Sequence, residues 1–378
     1  MLPNTDGPQV SAVLALPPRD EDVTTAAGQK GPEAARFSLG YCRPLDGVRA
    51  LAVLAVVAYH SIPHASAGFF GVDLFFVLSG FLITGLLLQE HDETGRLDFR
   101  AFYVRRALRL LPALVVACIL VIGLTLVRPG PSALPLATVL GAVLLYVGNW
   151  VNAFNGTGLG YFGHSWSLAI EEQFYVIWPF VLLRLLSRAD RLLRRILIVA
   201  ISIGVLRAAI WLTWHQSGLR DWSILAGDEL LAGAAAATLL WRRRGRVTVS
   251  VRVVSCAVGV MTALGLMLRT ESKPLLIGGY TAFAACAATC ILYVATSSEA
   301  LLARMLSWSP LVAIGRVSYG VYLFHFPIFV YLQSTRLSLP AQLLTGYLST
   351  TALTVLSYRL VEQPFLRRKP KRVTVARA

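Results

Sequence analysis

Between residues 45 and 361 the chain is a succession of apolar stretches, each close to the roughly 20 residues that carry an α-helix across a bilayer. Candidate segments fall at 45–63, 68–90, 108–127, 132–151, 165–186, 195–215, 222–241, 250–268, 275–296, 310–333 and 341–361. Only 15% of residues are charged while 56% are hydrophobic. A soluble domain carries about a quarter charged residues, so this chain has too few to clothe a soluble body of its length. A lipid-facing surface accounts for the deficit. The pattern predicts an all-α fold: a polytopic transmembrane helix bundle of about ten helices, or eleven if 132–151 also crosses.

The formal net charge of +15 invites a nucleic-acid reading, but the position of the charges argues against one. Basic residues gather in short runs between apolar stretches, at 96–109, 184–195, 241–246 and 367–372. That is how cytoplasmic loops of membrane proteins look. All these runs fall on one side only if a segment between 127 and 165 fails to cross. The stretch 132–151, bounded by Pro- and Gly-rich sequence, is the expected exception. A multi-pass protein of the cell membrane with both termini in the cytoplasm follows. Residues 1–40, poor in large apolar side chains, read as a disordered cytoplasmic tail. Residues 41–366 read as the membrane domain and 367–378 as a basic cytoplasmic tail. The five cysteines have neither metal nor disulfide spacing.

Ionisable groups are costly inside a bilayer and usually mark function. The first segment carries Arg49 and His60, 11 positions apart. They share one helical face about 16 Å apart along the axis. Asp46, one turn before Arg49, is a candidate partner. Asp73 opens the second segment and either caps that helix or orients His60. Arg105, Arg106 and Arg109 stand at the mouth of the third segment; Arg clusters of this kind anchor topology or bind phosphates. Glu171 and Glu172 sit in an aromatic helix, HSWSLAIEEQFYVIWP (164–179). Adjacent residues diverge by about 100°, so Glu171 is expected inward, with Glu172 behind it. A carboxylate beside His60 would fix the imidazole tautomer. In SYGVYLFHFPIF (318–329), Ser318, Tyr322 and His325 share a face. Asp228 and Glu229 form a further buried acidic pair with no obvious partner, and Glu362 marks the end of the last helix.

Taken in order, LDGVRALAVLAVVAYH, GFFGVDLFFVLSGFLI, FYVRRALRLLP, HSWSLAIEEQFY, SYGVYLFHFP and YRLVEQPF resemble the sequence blocks of the acyltransferase family 3 membrane proteins, over roughly residues 44–368. The resemblance implies an acyl-CoA donor, a hydroxyl acceptor, no metal and no permanently bound cofactor. It implies that Arg49 and His60 are essential and that Glu171 belongs to the active centre. The family often carries an additional extracellular esterase-like domain, which a chain of 378 residues is expected to lack. Stand-alone members of this length include enzymes that acylate macrolide antibiotics, which makes a macrolide the expected acceptor, with cell-envelope polysaccharide or lipid-linked sugar as the alternative. One departure is visible: many members place an Arg two residues before the acid that corresponds to Asp228, where this chain has Ala226.

The resulting expectation is a site in which Arg49, Arg105, Arg106 and Arg109 hold the phosphates of acyl-CoA, acetyl-CoA being the expected form. His60 acts as base or transient acyl carrier, Glu171 and Asp73 orient it, and Glu172, Tyr322 and His325 meet the acceptor. The bilayer, the donor and a hydroxylated acceptor are the partners; nucleic acid and metal are not. A proton-coupled transporter would use the same intramembrane charges, but the chain shows no inverted repeat.

Overall fold

The computed structural model describes residues 37–155, 158–215, 218–270 and 272–368. The expected tails lie almost wholly outside this range, with only 37–40 and Arg367–Arg368 inside it. The described residues form helices and no strand. In chain order these are α1 (Arg43–Ser61), α2 (Phe70–Thr94), α3 (Phe99–Val127), α4 (Leu136–Leu144), α5 (Gly148–Asn155), α6 (Ser165–Leu186), α7 (Leu192–Trp214), α8 (Gly227–Arg242), α9 (Val251–Met267), α10 (Tyr280–Thr296), α11 (Leu301–Leu306), α12 (Ser309–Arg316), α13 (Ser318–Gln333), α14 (Leu339–Ser357) and α15 (Gln363–Leu366). Helix starts follow local chemistry: Asp98 caps α3 by accepting from the Ala101 amide at 2.9 Å, and Ser250 does the same for α9.

Four helical stretches among the described residues are long and apolar enough to cross a membrane: 66–94, 99–127, 189–214 and 275–296. A fifth appears if α12 and α13, bent by 70°, count as one broken span. Length and apolarity therefore support multiple crossings without establishing the expected ten. The stretch 132–151 does not form one helix. Tyr146 takes a left-handed backbone, φ 53°, and splits it into α4 and α5, of nine and eight residues. Each is roughly 14 Å long or less, under half the hydrocarbon thickness. The outward-facing side chains of the long helices are apolar, as lipid contact demands; Leu126 is 82% exposed.

In lipid the bundle gains little from burying apolar surface, so close backbone approach must supply the contact. Helices α2 and α8 do this reciprocally. A Cβ on Gly80 would lie 1.8 Å from the Leu230 carbonyl oxygen, and one on Gly233 1.8 Å from that of Val77. Around the start of α1, Gly47 meets the Leu306 carbonyl and Gly315 that of Asp46. Trp178 in α6 donates to Thr84 in α2 at 2.8 Å, and Phe70 stacks on Phe283 of α10 at 4.1 Å. Helix α2 is thus the post against which α1, α6, α8 and α10 are fixed.

Gly80→Ala should force α2 and α8 apart and cost roughly 1–3 kcal/mol, as over-packing does. A lowered melting temperature in detergent reads it. Gly123→Ala, whose Cβ would meet nothing within 4 Å, should leave the melting temperature unchanged.

Candidate active site

Two of the cavities among the described residues are lined by residues singled out in the sequence. The first, of about 180 Å³, is bounded by Arg49 of α1, Ser79 of α2, Arg106 and Arg109 of α3, Glu171 of α6 and Tyr322 of α13. The second, of about 260 Å³, is bounded by His60 at the end of α1, His164 and Trp166 at the start of α6, Arg220, and again Tyr322. Val72 and Tyr322 line both. His60 also borders a wider vestibule of about 540 Å³ with Arg269, Gln333 and Gln342. Arg49, in the first half of α1, and His60, near its C-terminal end, therefore line different cavities. The Tyr322 hydroxyl donates to the His164 carbonyl at 2.6 Å and accepts from the Ser167 hydroxyl at 2.6 Å. That pair stands between the arginine cavity and the histidine cavity.

The arginine cavity presents three guanidinium groups and one carboxylate. Arg49 pairs with Asp46 at 3.2 Å, one turn away as the spacing suggests. Arg106 makes a bidentate pair with Glu172, at 2.9 and 2.5 Å, and lies over the Tyr175 ring at 3.2 Å. Arg109 makes no ion pair or hydrogen bond among the described residues and lines the cavity. Arg105 is not in this wall; it pairs with Glu90 at 3.5 Å. The four arginines expected to act together are thus three. Positions 106 and 109, three apart, face inward, and 105 points to α2.

The carboxylates differ from expectation in their partners. Glu171 accepts from the Ser79 hydroxyl at 2.7 Å and lines the arginine cavity. It makes no hydrogen bond to His60. The reason is depth: Glu171 lies two turns along α6 from His164, about 10 Å, at the arginine end. Glu172 turns away from the cavity to hold Arg106. Asp73 neither caps α2 nor touches His60; it accepts from Arg220 at 2.6 Å and is fully buried. Glu229 faces the same guanidinium at 3.4 Å, and Arg220 lies over the Tyr280 ring at 3.9 Å. Asp228 does have a partner. Arg207 of α7 binds it through both nitrogens at 2.7 and 2.9 Å, and both side chains are almost wholly buried. Arg207 was legible as a lone charge in an apolar helix; Arg220, in a short inter-helix turn, carried no such signal.

At the histidine end, His60 Nδ1 meets His325 Nε2 at 3.0 Å, and His325 Nδ1 meets the Val321 carbonyl at 3.1 Å. A carbonyl only accepts, so His325 Nδ1 carries a proton. In the neutral ring its Nε2 then accepts, and His60 Nδ1 donates to it. The lone pair of His60 Nε2 is left free. The role assigned from sequence to Glu171, orienting His60, belongs in this geometry to His325. Gln333 donates to the His60 carbonyl at 2.9 Å and ties the end of α1 to α13. His164, a residue the motif analysis passed over, packs its ring 5.4 Å from His325 and 5.0 Å from Tyr322. Although three imidazoles gather here, no set of three or more His, Cys, Asp or Glu among the described residues is arranged to hold a metal ion.

Residues 44–359 match the family model described as an acyltransferase domain. The chain is 32% identical over 349 residues to the O-acetyltransferase OatA of Staphylococcus aureus, covering 87% of this chain and 58% of that protein. It is 34% identical over 356 residues to the peptidoglycan O-acetyltransferase OatA of Listeria monocytogenes, covering 87% and 56% respectively. It is 34% identical over 364 residues to the putative peptidoglycan O-acetyltransferase YrhL of Bacillus subtilis, covering 86% and 55%. The chain therefore spans just over half the length of these curated relatives. No solved structure matches it.

Breaking one half of the Arg207–Asp228 pair should cost roughly 3–5 kcal/mol, because it strands a buried charge. Asp228→Leu alone should sharply lower the melting temperature in detergent. The double variant Arg207→Met, Asp228→Leu should recover most of the loss, which equal destabilisation of single and double variants would contradict.

Proposed function

The chain belongs to the acyltransferase family whose domain model covers residues 44–359, and from that premise we propose that it acylates a hydroxyl of a cell-envelope saccharide, drawing the acyl group from acyl-coenzyme A. That it is a membrane enzyme transferring acyl groups follows from the family; donor, acceptor and orientation are the proposal. We take residues 41–366 as the catalytic membrane domain, with the flanking tails and basic loops in the cytoplasm.

The observation that carries this reading is the pair of cavities meeting at Tyr322. One is lined by an excess of guanidinium groups, the other by an imidazole with a free basic nitrogen. Arg49, Arg106 and Arg109 suit the phosphates of a nucleotide-bearing thioester, with the unpaired Arg109 the most available of them. Arg49 and His60 are separated by roughly 16 Å along α1, a span that fits a long, thin donor arm passing Tyr322. His60 Nε2 then takes the proton of the acceptor hydroxyl as it attacks the thioester carbon, while His325 holds the ring by its other nitrogen. The wide polar vestibule beside His60 suits a large hydrophilic acceptor better than a compact apolar one. Two of the relatives are named for peptidoglycan O-acetylation, which favours an envelope saccharide over the macrolide expected from chain length. Asp73, Glu172 and His325 take supporting roles here: they hold Arg220, Arg106 and His60.

His60→Ala, with insertion verified, should lower acyl transfer to a peptidoglycan oligosaccharide by about 10²–10⁴-fold, the usual contribution of a general base. Free thiol released from acetyl-CoA and the mass of the acylated sugar are the readouts. Undiminished transfer by this variant would remove His60 from the chemistry, and faster acylation of a macrolide than of the oligosaccharide would reverse the acceptor assignment.

A further inference from the structure

His164 is 2% exposed, yet neither of its ring nitrogens has a hydrogen-bond partner. Buried polar atoms are nearly always paired, and an orphan calls for an explanation. The ring is not loosely held. Its own carbonyl accepts from the Tyr322 hydroxyl, and its faces pack against Phe326 at 4.8 Å and Phe162 at 6.4 Å. It lines the same cavity as His60, and His60 packs edge-on against that same Phe326 at 4.8 Å. The two imidazoles are thus neighbours on one wall, one bonded to the His325 ring and the other with no side-chain hydrogen bond. His164 also immediately precedes the N-terminus of α6, a helix of 22 residues, whose dipole favours negative charge at that end.

We propose that His164 is a further catalytic residue, an N–H donor to the carbonyl oxygen of the acyl group as the tetrahedral oxyanion forms. The role rests on the acyl-transfer reading above. As the acceptor oxygen bonds to the thioester carbon, the carbonyl π pair moves onto its oxygen, which receives the hydrogen bond from the His164 ring. The acceptor proton passes to His60 Nε2. The oxyanion then collapses, the carbon–sulfur bond breaks, and the thiolate takes the proton back from His60 to leave as the free thiol. A neutral imidazole suffices for this task, because one nitrogen always carries a hydrogen. A ring nitrogen without a side-chain partner is what a donor reserved for a transient charge requires, since a ground-state partner would have to be displaced at each turnover.

The test uses the full chain in nanodiscs with acetyl-CoA and a soluble peptidoglycan oligosaccharide, following thiol release and sugar acylation. His164→Ala should lower kcat by about 10²–10³-fold, the cost of one oxyanion donor, with KM for acetyl-CoA unchanged. His164→Gln, which keeps an N–H, should recover more activity than His164→Phe, which only fills the space. Should the alanine variant fail to fold, the Gln and Phe variants alone decide. Wild-type kinetics in His164→Ala, a rise in KM at constant kcat, or equal activity of the Phe and Gln variants would each overturn the assignment while leaving the acyltransferase reading intact. Absence of any thiol release by the wild-type chain would instead overturn the donor reading, and the role of His164 with it.

Discussion

A charge inside a hydrocarbon-facing bundle must bring its own counter-charge, because water is not there to solvate it. This constraint organises the interior. Arg207 is answered by Asp228, Arg220 by Asp73 and Glu229, and Arg106 by Glu172. Each pair bridges two or more helices, so the electrostatic solution is also a mechanical one. Against that background the unanswered groups stand out. Arg109 faces the first cavity without a partner, and His164 faces the second with both nitrogens free. Both groups border cavities rather than a counter-charge.

The pairs are held in register by backbone contact. Gly80 and Gly233 let α2 and α8 touch along their main chains, and this proximity brings Asp73 near Arg220 and Glu229. The same post carries Ser79, which donates to Glu171. Small residues and buried charges thus work together: the first set the distance between helices, and the second penalise any sliding that would separate the partners.

Tyr322 borders both the arginine cavity and the histidine cavity. Its hydroxyl, engaged by Ser167 and the His164 carbonyl, lies between a guanidinium-rich cavity and an imidazole-rich one. The guanidinium that does border the histidine cavity, that of Arg220, is held by Asp73 and Glu229.

Helices were legible in the sequence because they depend on neighbours in the chain. The stretch 165–186 became α6 at the expected bounds, the break within 132–151 was foreshadowed by its Pro and Gly flanks, and Asp46 reached Arg49 one turn away. The motif blocks contain His60, Glu171, Arg106 and Arg109, which line cavities, and Arg105, which does not. What the chain could not announce was which polar group meets which across helices. Glu171 met Ser79 rather than His60, Asp73 met Arg220, Asp228 met Arg207, and His325 took over the orientation of His60. Hydropathy and the 3.6-residue period decide that a segment is a helix and which face is apolar. The depth and rotation of that helix against partners far away in the chain are set only when all the helices pack, and those two quantities choose the partner of every buried charge.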